Sequence, residues 1–220
     1  VHGFTIVNTD ERYEEQELVD VAVKELGVRH TAIPVSNKGI LSNLEKLVAA
    51  HDAPVATISY YVHWQLMQAI AAHGYKVTIS GTAADELFTG YYDHHNLYLA
   101  EMAGSPEHAP ALAAWRAHQA PIVRNPYLQD PDLFVKDRNF RGHIYLNNDV
   151  FAGWLHQPWS ESFEEKPFHQ GLLRNRMLNE LFEEAVPVIL KEDDLNAMSF
   201  SMENRSPFLD TRLFDTAYSI

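Results

Sequence analysis

Val77-Thr78-Ile79-Ser80-Gly81-Thr82-Ala83-Ala84-Asp85-Glu86-Leu87-Phe88-Thr89-Gly90-Tyr91 decides the fold. Lys76 to Ile79 is a compact, β-branched strand that runs directly into Ser80-Gly81. Small residues after a strand let backbone N–H groups approach a phosphate chain, and a helix starting nearby adds a favourable dipole for an anion. Asp85 and Glu86 cannot bind phosphate themselves. They either hold a divalent metal that neutralises a triphosphate or pyrophosphate, or decorate the first turn of a helix, where the dipole stabilises negative charge by roughly 0.3–1 kcal/mol. The segment carries neither a Walker-type lysine motif nor G-x-G-x-x-G.

Upstream, strand and helix signals alternate. Phe4 to Val7 reads as a strand, Asn8-Thr9-Asp10 as a turn with N-cap chemistry, and Leu18, Val19, Ala22, Val23 and Leu26 recur at helical spacing up to Gly27. His30 to Val35 reads as a second strand with Pro34 weakening its far end. Helices follow from about Lys38 to Ala50, with Ile40, Leu41, Leu44, Leu47 and Val48 on one face, and from Tyr60 to His73, closed by Gly74. The pattern predicts an α/β fold, a parallel sheet covered by helices, with ligands at the carboxyl ends of the strands. Beyond residue 92 the chain reads as mainly helical: Ser105 to His118 and Phe168 to Ala185 carry helical signals around an irregular Pro121 to Asp149, with no repeat and no flexible linker.

The 220 residues carry 17 lysines and arginines against 30 acidic residues, a net charge of −13, which argues against a nucleic-acid partner. There is no cysteine, so disulfides, thiolate metal sites and cysteine nucleophiles are excluded within this stretch. Neither a membrane-length apolar run nor an amino-terminal signal is present, and the default location is cytoplasmic. The chain starts at Val1 without a methionine and stops on what reads as an unfinished helix, as expected for a piece of something longer.

The run from Val77 to Tyr91 resembles the S-G-x-G-x-D-E-x-F-x-G-Y signature of the asparagine synthetase family. Met198-Ser199-Phe200-Ser201-Met202-Glu203-Asn204-Arg205-Ser206-Pro207-Phe208-Leu209-Asp210 is similar to that family's S-M-x-x-S-x-E-x-R-x-P-F-L-D block, and Phe4 to Gly27 to the element after its pyrophosphate loop. The resemblance implies an adenine nucleotide alpha hydrolase-like PP-loop ATP pyrophosphatase fold. Residues 1–220 would be a partial synthetase domain, with 1–91 the α/β nucleotide-binding part and 92–220 the helical part.

It further implies an ATP-dependent ligase that adenylates a carboxylate, classically the side chain of aspartate, and lets ammonia from glutamine displace AMP. ATP and Mg2+ would be the cofactors. An amino-terminal glutaminase domain would belong to the parent chain, a homodimer is compatible, and the chain alone would be inactive. By position, Ser80 and Gly81 would touch ATP, Ile6 would line the adenine pocket or simply be core, and Asp85 and Glu86 would address the Mg–pyrophosphate and serve catalysis. Thr82 and Ala83 stand where the family carries glutamate and glycine. A threonine has no useful acid–base pKa, which opens the acceptor to other carboxylates such as sugar acids, or the module to a non-catalytic role.

Glu203, Arg205 and Asp210 read either as a buried brace at the end of the ATP site or as surface ion pairs. Lys191-Glu192-Asp193-Asp194 reads as a solvated face or, being near the second block, as a group at the pyrophosphate site with Lys191 as its base, and Phe151 to Phe163, with Trp154 and Trp159, as core or domain-contact surface. Asp93-His94-His95 makes a poor metal cluster because adjacent helical residues point about 100° apart.

Overall fold

The computed structural model describes residues 1–7, 16–144, 148–158 and 162–220. The turn expected at Asn8-Thr9-Asp10 and the side chain of Trp159 lie outside them. The described chain is mixed α/β: β1 (His2–Val7), α1 (Gln16–Leu26), β2 (Arg29–Pro34), α2 (Ile40–His51), α3 (Ile58–Ala72), β3 (Val77–Ile79), α4 (Ala84–Phe88) and α5 (Tyr92–Met102). These are followed by α6 (His108–His118), α7 (Leu133–Lys136), α8 (Asn148–Ala152), α9 (Leu172–Phe182), α10 (Ala185–Met198), β4 (Glu203–Arg205) and α11 (Thr211–Tyr218).

Two compact units emerge, one of residues 1–81 with 188–207, the other of 82–187 with 208–220. The chain leaves the first unit after Gly81 and returns to it for twenty residues late in the sequence. The reason lies in β3, whose partner is β4, more than a hundred residues downstream.

In the first unit the strands form two parallel two-stranded sheets instead of the single sheet expected. β1 pairs with β2 in a register that sets Phe4 beside Thr31 and Ile6 beside Ile33, and β3 pairs with β4 with Thr78 beside Asn204. Three residues per strand in the second pair bury little on their own, so the helices supply the core. Leu47 of α2 and Tyr60, Tyr61 and Trp64 of α3 form one cluster, with Phe200 packed against it. Met67 and Ile70 of α3, Ala197 of α10 and Met202 form another, which Phe4 of β1 joins. Each fully buried large apolar side chain contributes about 1.5–3 kcal/mol.

A polar clasp ties the same elements together. His51 Nε2 lies 3.0 Å from Asn196 Oδ1, and Asn196 Nδ2 donates to the Tyr60 carbonyl at 3.2 Å, all buried. Buried amides are tolerated only when satisfied in this way.

The second unit is helical. Leu97 of α5 packs with Val123, Leu128, Leu133 and Phe134, and Leu172 and Leu173 of α9 lie against that cluster. Asn96, fully buried, donates to the carbonyls of Leu128 and Asp130 and accepts from the Trp115 indole, so one amide holds α5, α6 and an irregular loop. Among the described residues of the aromatic stretch after residue 150, Trp154 is 82% exposed and Phe151 54% exposed, so neither belongs to the core. No helix among the described residues is long and apolar enough to cross a membrane.

Candidate active site

At the carboxyl end of β3, in the first unit, Ser80 continues the ladder by donating its backbone N–H to the Arg205 carbonyl at 2.9 Å. Its hydroxyl accepts from Asn204 Nδ2 at 3.1 Å and lies 3.4 Å from Ser206 Oγ. Gly81 follows, exposed, and a Cβ built there would meet nothing within 4 Å. Ile6 is half-buried on β1.

The helix that supports this strand end carries a buried acidic pair. Glu192 and Asp193 of α10 are only 3% and 6% exposed, which corrects the reading of Lys191 to Asp194 as a solvated face. His63 of α3 supplies the counter-charge, its Nδ1 3.1 Å from Glu192 and 3.7 Å from Asp193. These carboxylates, Asp193 first, raise the imidazole from its ordinary 6.5 to about 9, so it is an imidazolium at neutral pH. A histidine 130 residues away gives no local sequence signal, and this is why the acidic run looked solvated.

In the second unit, Ala83 is the N-cap of α4 and takes the left-handed conformation at φ 77° while nearly fully buried. The two adjacent carboxylates part company. Asp85 is exposed and lies against Gly90 so closely that a Cβ on that glycine would overlap its carboxylate. Glu86 is 3% exposed and accepts the Tyr91 hydroxyl at 2.6 Å. Burial, followed by the bond to Glu86, pushes the Tyr91 phenol far above its ordinary range, so it is always the donor.

The residues after the signature anchor it to a buried charge network. Gly90 N–H donates to His94 Nδ1, so the ring hydrogen sits on Nε2 and is donated to Glu180 of α9 at 2.8 Å. Asp93, His94 and Glu180 converge closely enough to hold a cation. Arg176 already supplies one: its Nε lies 3.0 Å from Glu180 and 3.5 Å from Asp93. Burial raises Glu180 despite these partners, whereas burial of Asp93 is outweighed by its bond to His143 and by the charge of Arg176, which hold it below its ordinary value. His95 stands apart from the cluster, half-buried, as expected for adjacent helical residues.

The profile of the asparagine synthase family matches residues 1–220. The chain belongs to the asparagine synthase family. No curated protein matches it. Asparagine synthase membership implies ATP-dependent ligase chemistry, the amidation of a carboxylate, on small-molecule substrates.

Of the residues that the asparagine synthase signature singled out, Ser80 and Gly81 sit together after β3 in the first unit, and Asp85 and Glu86 in the first turn of α4 in the second. Glu203 and Arg205 form no buried brace: both are 61% exposed and pair with each other at 2.9 Å. Asp210 caps α11, accepting from the backbone N–H groups of Arg212 and Leu213, and binds the Arg212 guanidinium. Sequence reasoning missed His63 and Asn204. Asn204 carries no sequence signal beyond its place between Glu203 and Arg205 in the second family block.

Proposed function

We propose that this domain binds ATP, adenylates a carboxylate, and lets ammonia displace AMP to give an amide, with pyrophosphate as the other product. The observation that carries the reading is the family match along the whole chain. The default acceptor is the side chain of aspartate, with ammonia delivered from glutamine by a separate glutaminase domain of the parent protein, a cytoplasmic enzyme compatible with a homodimer.

The roles of the chain's own residues follow from chemistry. Ser80 and Gly81 hold the nucleotide through a hydroxyl and through backbone that a glycine leaves open, and Ile6 offers an apolar edge to adenine. Attack of a carboxylate oxygen on the α-phosphate builds negative charge, which positioned donors stabilise. Magnesium, when bound with pyrophosphate, neutralises the departing charge. Asp85, exposed and acidic, suits such an ion, which keeps most of its shell for water and phosphate oxygens. Glu86 suits it less, being committed to Tyr91.

Thr82 favours a second reading within the same chemistry, an acceptor other than aspartate such as a sugar acid, because no glutamate stands there to handle a proton. ATP–pyrophosphate exchange by the full-length protein tests both. Exchange stimulated by aspartate supports the default, stimulation by sugar acids alone supports the second, and no exchange with any carboxylate points to a non-catalytic module.

A further inference from the structure

We propose that Gly90 is a positioning residue for Asp85: the side chain it lacks is the space in which the Asp85 carboxylate lies, and this keeps that carboxylate in one place for magnesium. The inference rests on the reading of Asp85 as a ligand for the ion that accompanies pyrophosphate.

A glycine in a turn is explained either by its conformational freedom or by the room it leaves. Gly27, Gly39, Gly74 and Gly104 take positive φ, and Gly90 does not. The left-handed position of this turn falls one residue earlier, on Thr89, which ends α4 with φ 69° and ψ 145°. For a β-branched residue that conformation is strained. A turn chosen for its backbone alone would carry its glycine at position 89, so Gly90 is a glycine because of what lies against it.

What lies against it is Asp85. A Cβ built on Gly90 would overlap Oδ1 and Cγ of the Asp85 carboxylate and stand 3.0 Å from the Asp85 Cβ. Turning the aspartate side chain relieves the overlap but not the close approach of the two Cβ atoms, so a side chain at position 90 expels the carboxylate and crowds α4. No hydrogen bond or ion pair engages that carboxylate among the described residues, and the fit against Gly90 is what sets its place. Gly90 is itself held. Its N–H donates to His94 Nδ1 at 3.3 Å, and His94 is tied to Glu180 of α9 at 2.8 Å. The buried network thus fixes the backbone on which an exposed ligand rests. Magnesium tolerates little departure from octahedral geometry, so a displaced carboxylate is a poor ligand even with its charge unchanged.

The test is a double-variant cycle in the full-length protein, with affinity for Mn–pyrophosphate read by electron paramagnetic resonance and stability by thermal melting. Gly90→Ala is expected to weaken Mn–pyrophosphate by about 10- to 100-fold, the range for removing a group that orients a metal ligand, and to lower the melting temperature. Asp85→Asn, which fits the same space without the charge, should also weaken the ion, with little change in melting temperature. The pair Asp85→Asn with Gly90→Ala should bind no more weakly than Asp85→Asn alone, since Gly90 acts through Asp85. Adding Asp85→Ala to Gly90→Ala should recover most of the lost melting temperature, because the carboxylate that the new side chain strikes is gone. Thr89→Gly relieves the strained turn and gives a stabilised background in which Gly90→Ala is measured if the single variant folds poorly. Unchanged affinity in Gly90→Ala, multiplying losses in the cycle, or a melting temperature that Asp85→Ala does not recover would overturn the role of Gly90 while leaving Asp85 as a metal ligand. Unchanged affinity in Asp85→Asn would overturn both.

Discussion

Two carboxylates one residue apart in the chain have opposite fates in α4, and the difference is decided by what each meets. Asp85 meets solvent and the bare backbone of Gly90, whereas Glu86 turns inward to Tyr91. Removing the phenol hydroxyl leaves a buried carboxylate short of a donor, which costs more than the bond itself contributes. Tyr91→Phe is therefore expected to lower stability by about 2 kcal/mol in urea unfolding. Glu86→Gln in the Tyr91→Phe background should recover most of that loss, because a neutral amide is cheaper to leave buried. Unchanged stability in Tyr91→Phe would return Glu86 to consideration as a ligand for the metal. Ala83 adds a second point at this scale. The left-handed φ of 77° gives a physical reason for the glycine that the family signature carries there, and only small residues could take its place in so buried a position.

Between elements, the apolar contact of α3 with α10 carries an added electrostatic, pH-dependent part. His63 has a folded pKa raised from 6.5 to about 9 by Asp193 and Glu192, so its contribution is fully present below about pH 6.5 and is lost as the pH climbs through 9. Unscreened, such a shift corresponds to roughly 3 kcal/mol. With the ring 37% exposed, solvent screening leaves about 1.5 kcal/mol. The melting temperature should fall between pH 6.5 and 9.5, and His63→Gln should flatten that slope while lowering stability at pH 6. A slope that survives in His63→Gln would assign it to other groups.

This scale also shows how much the sequence could tell. β1, β2, β3, α2 and α3 were legible because their apolar residues recur at the strand or helix period over several turns. α5 and α10 were not, because their buried faces include Asp93, His94, Asn96, Glu192, Asp193 and Asn196, polar residues made buriable only by distant partners. β4 is the extreme case: Glu203-Asn204-Arg205 has no apolar residue at all and is a strand because β3 offers it a parallel edge. Likewise nothing near Asn204 in the chain shows that Thr78 and Asp193 converge on its one amide.

For the whole molecule, the consequence is that the first unit is not a stretch of sequence. Residues 188–207 supply Ala197 and Met202 to the core of α3, Phe200 to the cluster around Leu47, Asn196 to the clasp on His51, and β4 to β3. Met202 and Ala197 are 2% and 1% exposed, and burial of the methionine alone contributes about 1.5–3 kcal/mol. Adding the aromatic contact of Phe200 with Trp64 and the orphaned imidazole of His51, the loss reaches the lower end of the stability of an ordinary domain, about 5 kcal/mol. A chain ending at Pro187 is therefore expected to lose hydrogen-exchange protection in α3, residues 58–72, although the nearest deleted residue is more than a hundred positions away. Protection of α5 and α9 should fall much less, because their shared core, Leu97 with Leu172 and Leu173, lies wholly within residues 82–187. Equal loss in both groups of helices would mean that the two units fold as one; undiminished protection in α3 would mean that residues 1–81 are stable by themselves.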